Sequence, residues 1–168
     1  EGERYLRCVI FMKGERSLRD AVVMKGDCSS RDAITMTASL NDFRNGIYPD
    51  YPTAVMAGQQ VFRWAVGEMP KTTKEALDIA GITAADLDVF IPHQANNRIT
   101  DALVRALDLP ERVKIARDIV TSGNTSAASI PLAMDAMLQS GEAKPGDTAL
   151  LIGFGSGLVH AAQVVTLP

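Results

Sequence analysis

An apolar run that stops at a proline and hands the chain to a histidine, Val89-Phe90-Ile91-Pro92-His93, sets the terms for this sequence. Val89 to Ile91 has the brevity and unbroken apolarity of a strand covered on both faces. Pro92 removes a ladder donor and holds Ile91 extended, so the chain leaves the sheet there and His93 falls in a strand-to-helix turn. From Asn96 onward, Ile99, Leu103, Ala106 and Leu107 recur at helical spacing, while Arg98, Asp101 and Arg105 fall on other faces. Asn96 or Asn97 suits the N-cap. A histidine at the carboxyl end of a strand, beside a helix start, stands where open α/β sheets place their ligands. The same position also suits a histidine that only caps or fills the turn.

A second stretch weighs against that plain reading. Thr121-Ser122-Gly123-Asn124-Thr125-Ser126 is a polar loop opening into a helix that runs to about Gln139, with Ile130, Met134, Met137 and Leu138 as its apolar stripe. Pro131 falls in its first turn, where a missing donor is harmless. Gly123 lets the backbone beside Asn124 approach another group closely. A simple N-cap needs no more than this. Yet two neutral donors, each expected between a strand-like segment and a helix, are less easily dismissed as caps alone. Near the end, Asp147 to Phe154 and Leu158 to Leu167 read as paired strands about the turn Gly155-Ser156-Gly157. That turn is a plain hairpin or, more sharply, a place where backbone N–H groups face a substrate oxygen.

Pro92-His93-Gln94-Ala95-Asn96, Gly123-Asn124-Thr125-Ser126-Ala127-Ala128-Ser129-Ile130-Pro131 and Gly153-Phe154-Gly155-Ser156-Gly157 together resemble the C-terminal half of β-ketoacyl-acyl carrier protein synthase III, in wording closest to actinobacterial members. The resemblance runs from about Met56 to Pro168 and weakens before it. It implies an α/β fold, the C-terminal half of a thiolase-like architecture, with a mixed sheet of about five strands and helices on its faces. The alternation of strand and helix after Gly58 supports α/β independently. It also implies a decarboxylating condensation that joins an acyl primer, delivered as acyl-CoA, to malonyl-acyl carrier protein in the initiation of fatty acid or polyketide synthesis. No cofactor is implied beyond the coenzyme A thioester and acyl carrier protein as substrates.

By the same resemblance, His93 and Asn124 match the pair that hydrogen-bonds the malonyl thioester carbonyl. Ser156 holds the position whose backbone N–H completes an oxyanion hole; the family often has glycine there, and a backbone donor survives the change. Met56, Gly58, Phe62, Ala95 and Asn96 match positions lining the pantetheine tunnel, although Met56 and Phe62 would equally serve a core. Arg98 matches a basic residue near the carrier-protein entrance. The family's nucleophilic cysteine belongs to an N-terminal half, and no matching motif occurs in these residues. The chain is therefore expected to supply half of an active site, alongside an N-terminal half carrying the catalytic Cys and within a homodimer. The competing expectation is a non-catalytic half-fold that pairs with its own copy.

Composition narrows the field. With 168 residues and 46% hydrophobic content, the chain can bury one real core. A net charge of -3 with scattered basic residues leaves no footprint for nucleic acid. No apolar run nears the ~20 residues of a membrane span, and no signal peptide is visible. Cys8 and Cys28 form neither a metal-site spacing nor a disulfide framework, which suggests a reducing, cytoplasmic setting. Cys28 lacks a following helix to activate it and Cys8 sits in an apolar run, so both read as ordinary thiols.

The remaining segments divide 1-168 as a single domain with three parts. Residues 1-25 read as an N-terminal strand pair, Tyr5 to Met12 and Ala21 to Lys25, around the charged segment Lys13 to Asp20. Glu1 to Arg7 lacks the glycine-rich acidic turn that usually precedes this part of the family, so either the chain starts partway through a longer polypeptide or its beginning is altered. Residues 26-57 read as a long loop with Ile34 to Ala38 weakly extended, a length that suits the lining of a site or interface. Residues 58-168 hold the His/Asn core. Their first element is a helix from Gly58 to Ala80, expected to bend or break at Pro70 and to close at Gly81. Val113 to Ile119 then carries the chain back towards Asn124.

Overall fold

The computed structural model describes residues 21–25 and 32–168. Its centre is a five-stranded mixed sheet in the order β1-β7-β6-β4-β5. These strands are β1 (Ala21–Lys25), β4 (Val89–Pro92), β5 (Lys114–Ile115), β6 (Thr148–Phe154) and β7 (His160–Thr166). β4 runs parallel to both neighbours, pairing Phe90 with Ile115 and with Leu150, while β6, β7 and β1 are successively antiparallel. The fold class read from the sequence, with its five-stranded mixed sheet, is the one observed.

Burial on both faces explains the unbroken apolarity of the central strands. Phe90, Leu150 and Ile152 pack with Ala162 and Val164 towards α2 (Gly58–Ala80) and α3 (Asn97–Ala106), meeting Ala65, Met69, Ala76, Ile99 and Leu103. Val89, Ile91 and Ala149 turn the other way, onto Ala133 and Met137 of α5 (Ser129–Ser140). Phe90 and Ile91 are fully enclosed, and burying a side chain of that size stabilises by roughly 1.5–3 kcal/mol. Polar alternation in these strands would place a hydroxyl or amide against a helix on one side or the other.

α2 runs without interruption through the buried Pro70. The break expected at that residue is absent because its neighbours Met69, Thr72 and Thr73 are also buried and tertiary packing holds the helix together. Gly81 closes it in the left-handed region, φ 68°, where glycine is unstrained.

Two other expectations differ, and one falls partly outside the described residues. β1 pairs along its length with β7; its expected partner strand, Tyr5 to Met12, lies outside the described residues, as do Cys8 and Cys28. Within the stretch read as loop, β2 (Ile34–Met36) falls on the segment expected to be extended, Ile34 to Ala38, and pairs antiparallel with an unforeseen β3 (Ala54–Met56), with α1 (Leu40–Arg44) between them. Ser39 caps α1 by accepting the Asp42 N–H at 3.0 Å. Runs of three and five residues are too short for periodicity to separate strand, helix and loop. The last strand begins at His160, because Leu158 is drawn into a turn and buried with Ala33 and Val61. That small cluster ties the β2–β3 pair to the β6–β7 corner.

Candidate active site

His93 is held from three directions. Its backbone N–H donates to the Ile152 carbonyl at 2.7 Å, extending the β4–β6 ladder one residue past Pro92. Its Nδ1 lies 2.5 Å from the Ser129 Oγ at the start of α5. The Phe154 ring stands edge-on to the imidazole, centroids 5.3 Å apart at 75°. Burial lowers the His93 pKa below its ordinary 6.5, because a partly dry site disfavours the charged ring. At neutral pH the residue is an uncharged imidazole with one nitrogen already engaged.

Gln94 fixes the turn that carries it. Its side chain is 1% exposed. Nε2 donates to the Pro92 carbonyl at 2.7 Å and to the Ala116 carbonyl at 3.3 Å, and Oε1 accepts the Ile119 N–H at 3.1 Å. One carboxamide therefore joins the end of β4 to the start of α4 (Ile119–Ser122), the short helix leading to Asn124.

α4 ends at Gly123, φ 69° and ψ −165°, a conformation open to glycine alone. This corrects two expectations. The segment before Asn124 is helical rather than strand-like, and a Cβ on Gly123 would meet nothing within 4 Å. The glycine is required by its dihedral angles and not by close approach. Asn124 is exposed, and its Oδ1 accepts the Ser126 N–H at 2.9 Å. Engaging the carboxamide oxygen in this way leaves the NH₂ as the group offered to a ligand.

One cavity of about 1150 Å³ collects the candidate residues. His93, Asn124 and Ser156 all line it, from the turn after β4, the α4–α5 loop and the β6–β7 turn respectively. Met56, Gly58 and Phe62 line it from β3 and the start of α2, and Ala95, Asn96 and Arg98 from the start of α3. Met56 is 61% exposed and so forms part of the cavity wall rather than of a core. Asn96 is the N-cap of α3, its Oδ1 accepting the Arg98 N–H at 2.8 Å. The Arg98 guanidinium lies 5.6 Å from the Phe62 ring centroid, so the cation stacks on the wall of the cavity. The Ser156 Oγ donates to the Ile34 carbonyl at 2.9 Å, which anchors the β6–β7 turn to β2.

Sequence reasoning passed over several lining residues. Arg63 and Gln59 flank Phe62 on α2, and Ser129 lies beneath His93. The α5 stripe was the source of the last omission. Its buried positions are Ser129, Ala133 and Met137, with Ile130, Met134 and Leu138 only partly covered. A hydroxyl in step with a buried stripe was the available signal, since such a group requires a partner. Among the described residues no group of three or more His, Cys, Asp or Glu side chains is placed to hold a metal ion. No helix among them is long and apolar enough to cross a membrane.

A mixed sheet with helices on its faces, delivering a histidine and an asparagine to one cavity, defines the C-terminal half of a thiolase-like fold. The model of the 3-oxoacyl-[acyl-carrier-protein (ACP)] synthase III C-terminal family matches residues 77–167, just over half of the chain, and the chain belongs to that family. It is 63% identical over 132 residues to the β-ketoacyl-[acyl-carrier-protein] synthase III of Streptomyces glaucescens, covering 79% of this chain and 40% of that protein. A mycobacterial β-ketoacyl-[acyl-carrier-protein] synthase III from Mycobacterium ulcerans is 56% identical over 117 residues, 70% of this chain and 35% of the relative. Among solved structures, the priming β-ketosynthase of the R1128 polyketide biosynthetic pathway superposes with a TM-score of 0.85 at 43% identity, covering 89% of this chain and 45% of that one. The synthase III of Pseudomonas aeruginosa PAO1 gives 0.76 at 35%, covering 90% and 44%. The chain thus spans about two-fifths or less of the curated relatives and somewhat under half of the solved structures named, and its similarity to actinobacterial members is high.

Proposed function

We propose that this chain provides the malonyl-binding half of a decarboxylating condensing enzyme that joins an acyl primer to malonyl-acyl carrier protein. The carrying observation is that His93 and Asn124, one a neutral imidazole and the other a carboxamide with its oxygen already engaged, line a single cavity of about 1150 Å³. When the malonyl carboxylate leaves as carbon dioxide, the electron pair of the broken C–C bond moves into the thioester, and its oxygen becomes negative. Two preorganised uncharged donors stabilise that enolate without having to reorganise. The enolate carbon then attacks the acyl-cysteine carbonyl, the Ser156 N–H stabilises the resulting oxyanion, and the thiolate departs.

In this reading the nucleophilic Cys comes from an N-terminal half, and Arg98 at the mouth of the cavity meets the acidic carrier protein. The enzyme works in the cytoplasm as a dimer. A second reading, a non-catalytic half-fold that pairs with its own copy, shares one feature with the first: Met24, Leu151, Ala161 and Val159 line an apolar hollow of about 360 Å³ over β1, β7 and β6, on the face away from α2. A companion half would cover it in the first reading, a second copy in the second.

The decisive experiment uses the chain with Cys8 and Cys28 replaced by serine. We expect no 3-ketoacyl product from acyl-CoA and malonyl-acyl carrier protein, and product once an N-terminal half bearing the reactive thiol is added. Full condensation by the cysteine-free chain alone contradicts the reading. A stable homodimer that no added half can activate favours the self-pairing module.

A further inference from the structure

Ser129 lies at the base of the cavity, behind His93, and is 1% exposed. Its Oγ accepts the Gln94 backbone N–H at 3.2 Å and lies 2.5 Å from the His93 Nδ1. A hydroxyl has one proton to give and two lone pairs. If Nδ1 carried the ring proton, Oγ would accept from two N–H groups and its own proton would have no acceptor among the contacts described. If Nδ1 is bare, the chain Gln94 N–H to Ser129 Oγ–H to His93 Nδ1 runs in one direction and satisfies every member. The ring proton then sits on Nε2.

We propose that Ser129 is a positioning residue that locks His93 in the Nε2–H tautomer, so that the imidazole meets the thioester oxygen as a donor. This rests on the reading of His93 as a ligand of the malonyl thioester. The wrong tautomer would present a lone pair to an oxygen gaining negative charge. An orienting partner on the far nitrogen is how a neutral histidine is given a single role. Ser129 is suited to it by its place as the first residue of α5, on the helix stripe that faces β4.

The second histidine of the chain gives an internal contrast. The His160 Nδ1 lies 3.2 Å from the Leu158 carbonyl and its Nε2 lies 2.9 Å from the Thr72 Oγ. A carbonyl only accepts, so His160 takes the opposite tautomer, with its proton on Nδ1.

Long-range ¹H–¹⁵N correlation spectra of the full chain at pH 7.5 separate the two rings. We expect one histidine with a protonated Nε2 and a bare Nδ1, removed by His93→Gln, and one of the reverse kind. In Ser129→Ala the His93 shifts should move towards a tautomer average, with intermediate values in Ser129→Cys, whose thiol is a weaker donor. Malonyl-CoA decarboxylation by the same variant should lose about tenfold in kcat with KM nearly unchanged, less than the ~10²–10³ lost when a donor is deleted outright. A His93 ring protonated on Nδ1 in the unaltered chain overturns the proposal. So does an unchanged tautomer in Ser129→Ala. If Ser129→Ala does not fold, the spectrum of the unaltered chain and of Ser129→Cys decides. If the tautomers behave as expected while the unaltered chain, with an N-terminal half supplied, shows no decarboxylation, the tautomer lock stands and the reading of His93 as a thioester ligand falls.

Discussion

The Phe154 ring packs in T-shaped fashion with His93, centroids 5.3 Å apart, and with Trp64 at 5.8 Å. One aromatic side chain at the end of β6 thus joins the candidate active-site histidine to the helix that walls the cavity. Phe154→Ala should cost about 2 kcal/mol, below the usual range for a fully buried ring because Phe154 is only partly covered. Urea denaturation followed by the fluorescence of Trp64, the single tryptophan, reads the loss directly.

Gln94→Leu tests whether the turn is held by the buried carboxamide. The change strands the Ile119 N–H and the Ala116 carbonyl, and a buried unsatisfied group costs about 1–3 kcal/mol. Amide hydrogen exchange should quicken at Ile119 and through the loop to Asn124, ahead of the sheet interior. Uniform exchange across both regions would show that Gln94 does not restrain that loop.

Gly123→Ala separates conformation from contact at the same loop. A Cβ there has open space, so any effect comes from φ 69° and ψ −165°. The strain should cost roughly 1–3 kcal/mol. Thermal unfolding should register that loss, and decarboxylation should fall with it as Asn124 is displaced.

The depressed His93 pKa fixes the sign of one pH dependence. Between the folded value and the ordinary 6.5, the unfolded chain binds a proton that the folded chain does not, so stability rises with pH across that interval. The His93 contribution to stability is therefore fully present above 6.5 and is lost as pH falls through this window, levelling off below the folded value. The difference in urea-unfolding stability between the unaltered chain and His93→Gln should change between pH 7 and pH 5 with that sign. A difference that stays flat would show that His93 is not desolvated.

How much of this was legible in the residues depended on the size of the signal. The interior strand at Val89 followed from burial, because a doubly covered strand leaves few alternatives; the exit came one residue later than Pro92 alone suggests, since the His93 N–H still bonds Ile152. The extended segment at Ile34 was legible, but its partner β3 and α1 were not, since runs that short carry no period. Pro70 misled because its local cost is outweighed by the packing of the helix around it. Ser129 was hidden by its own smallness: a serine among Ile130, Met134 and Met137 looks like an interruption until the ring nitrogen above it is seen.

The central claim is that His93 and Asn124 act together on one thioester oxygen, and carbon dioxide release from a malonyl thioester tests it most directly. Measured on the full chain, with an N-terminal half supplied if the unaided rate is too low to follow, His93→Ala and Asn124→Ala should each slow release by ~10²–10³. The double variant should lose little more than either single, as expected of groups acting as a unit. Release at an undiminished rate in both single variants would contradict the account.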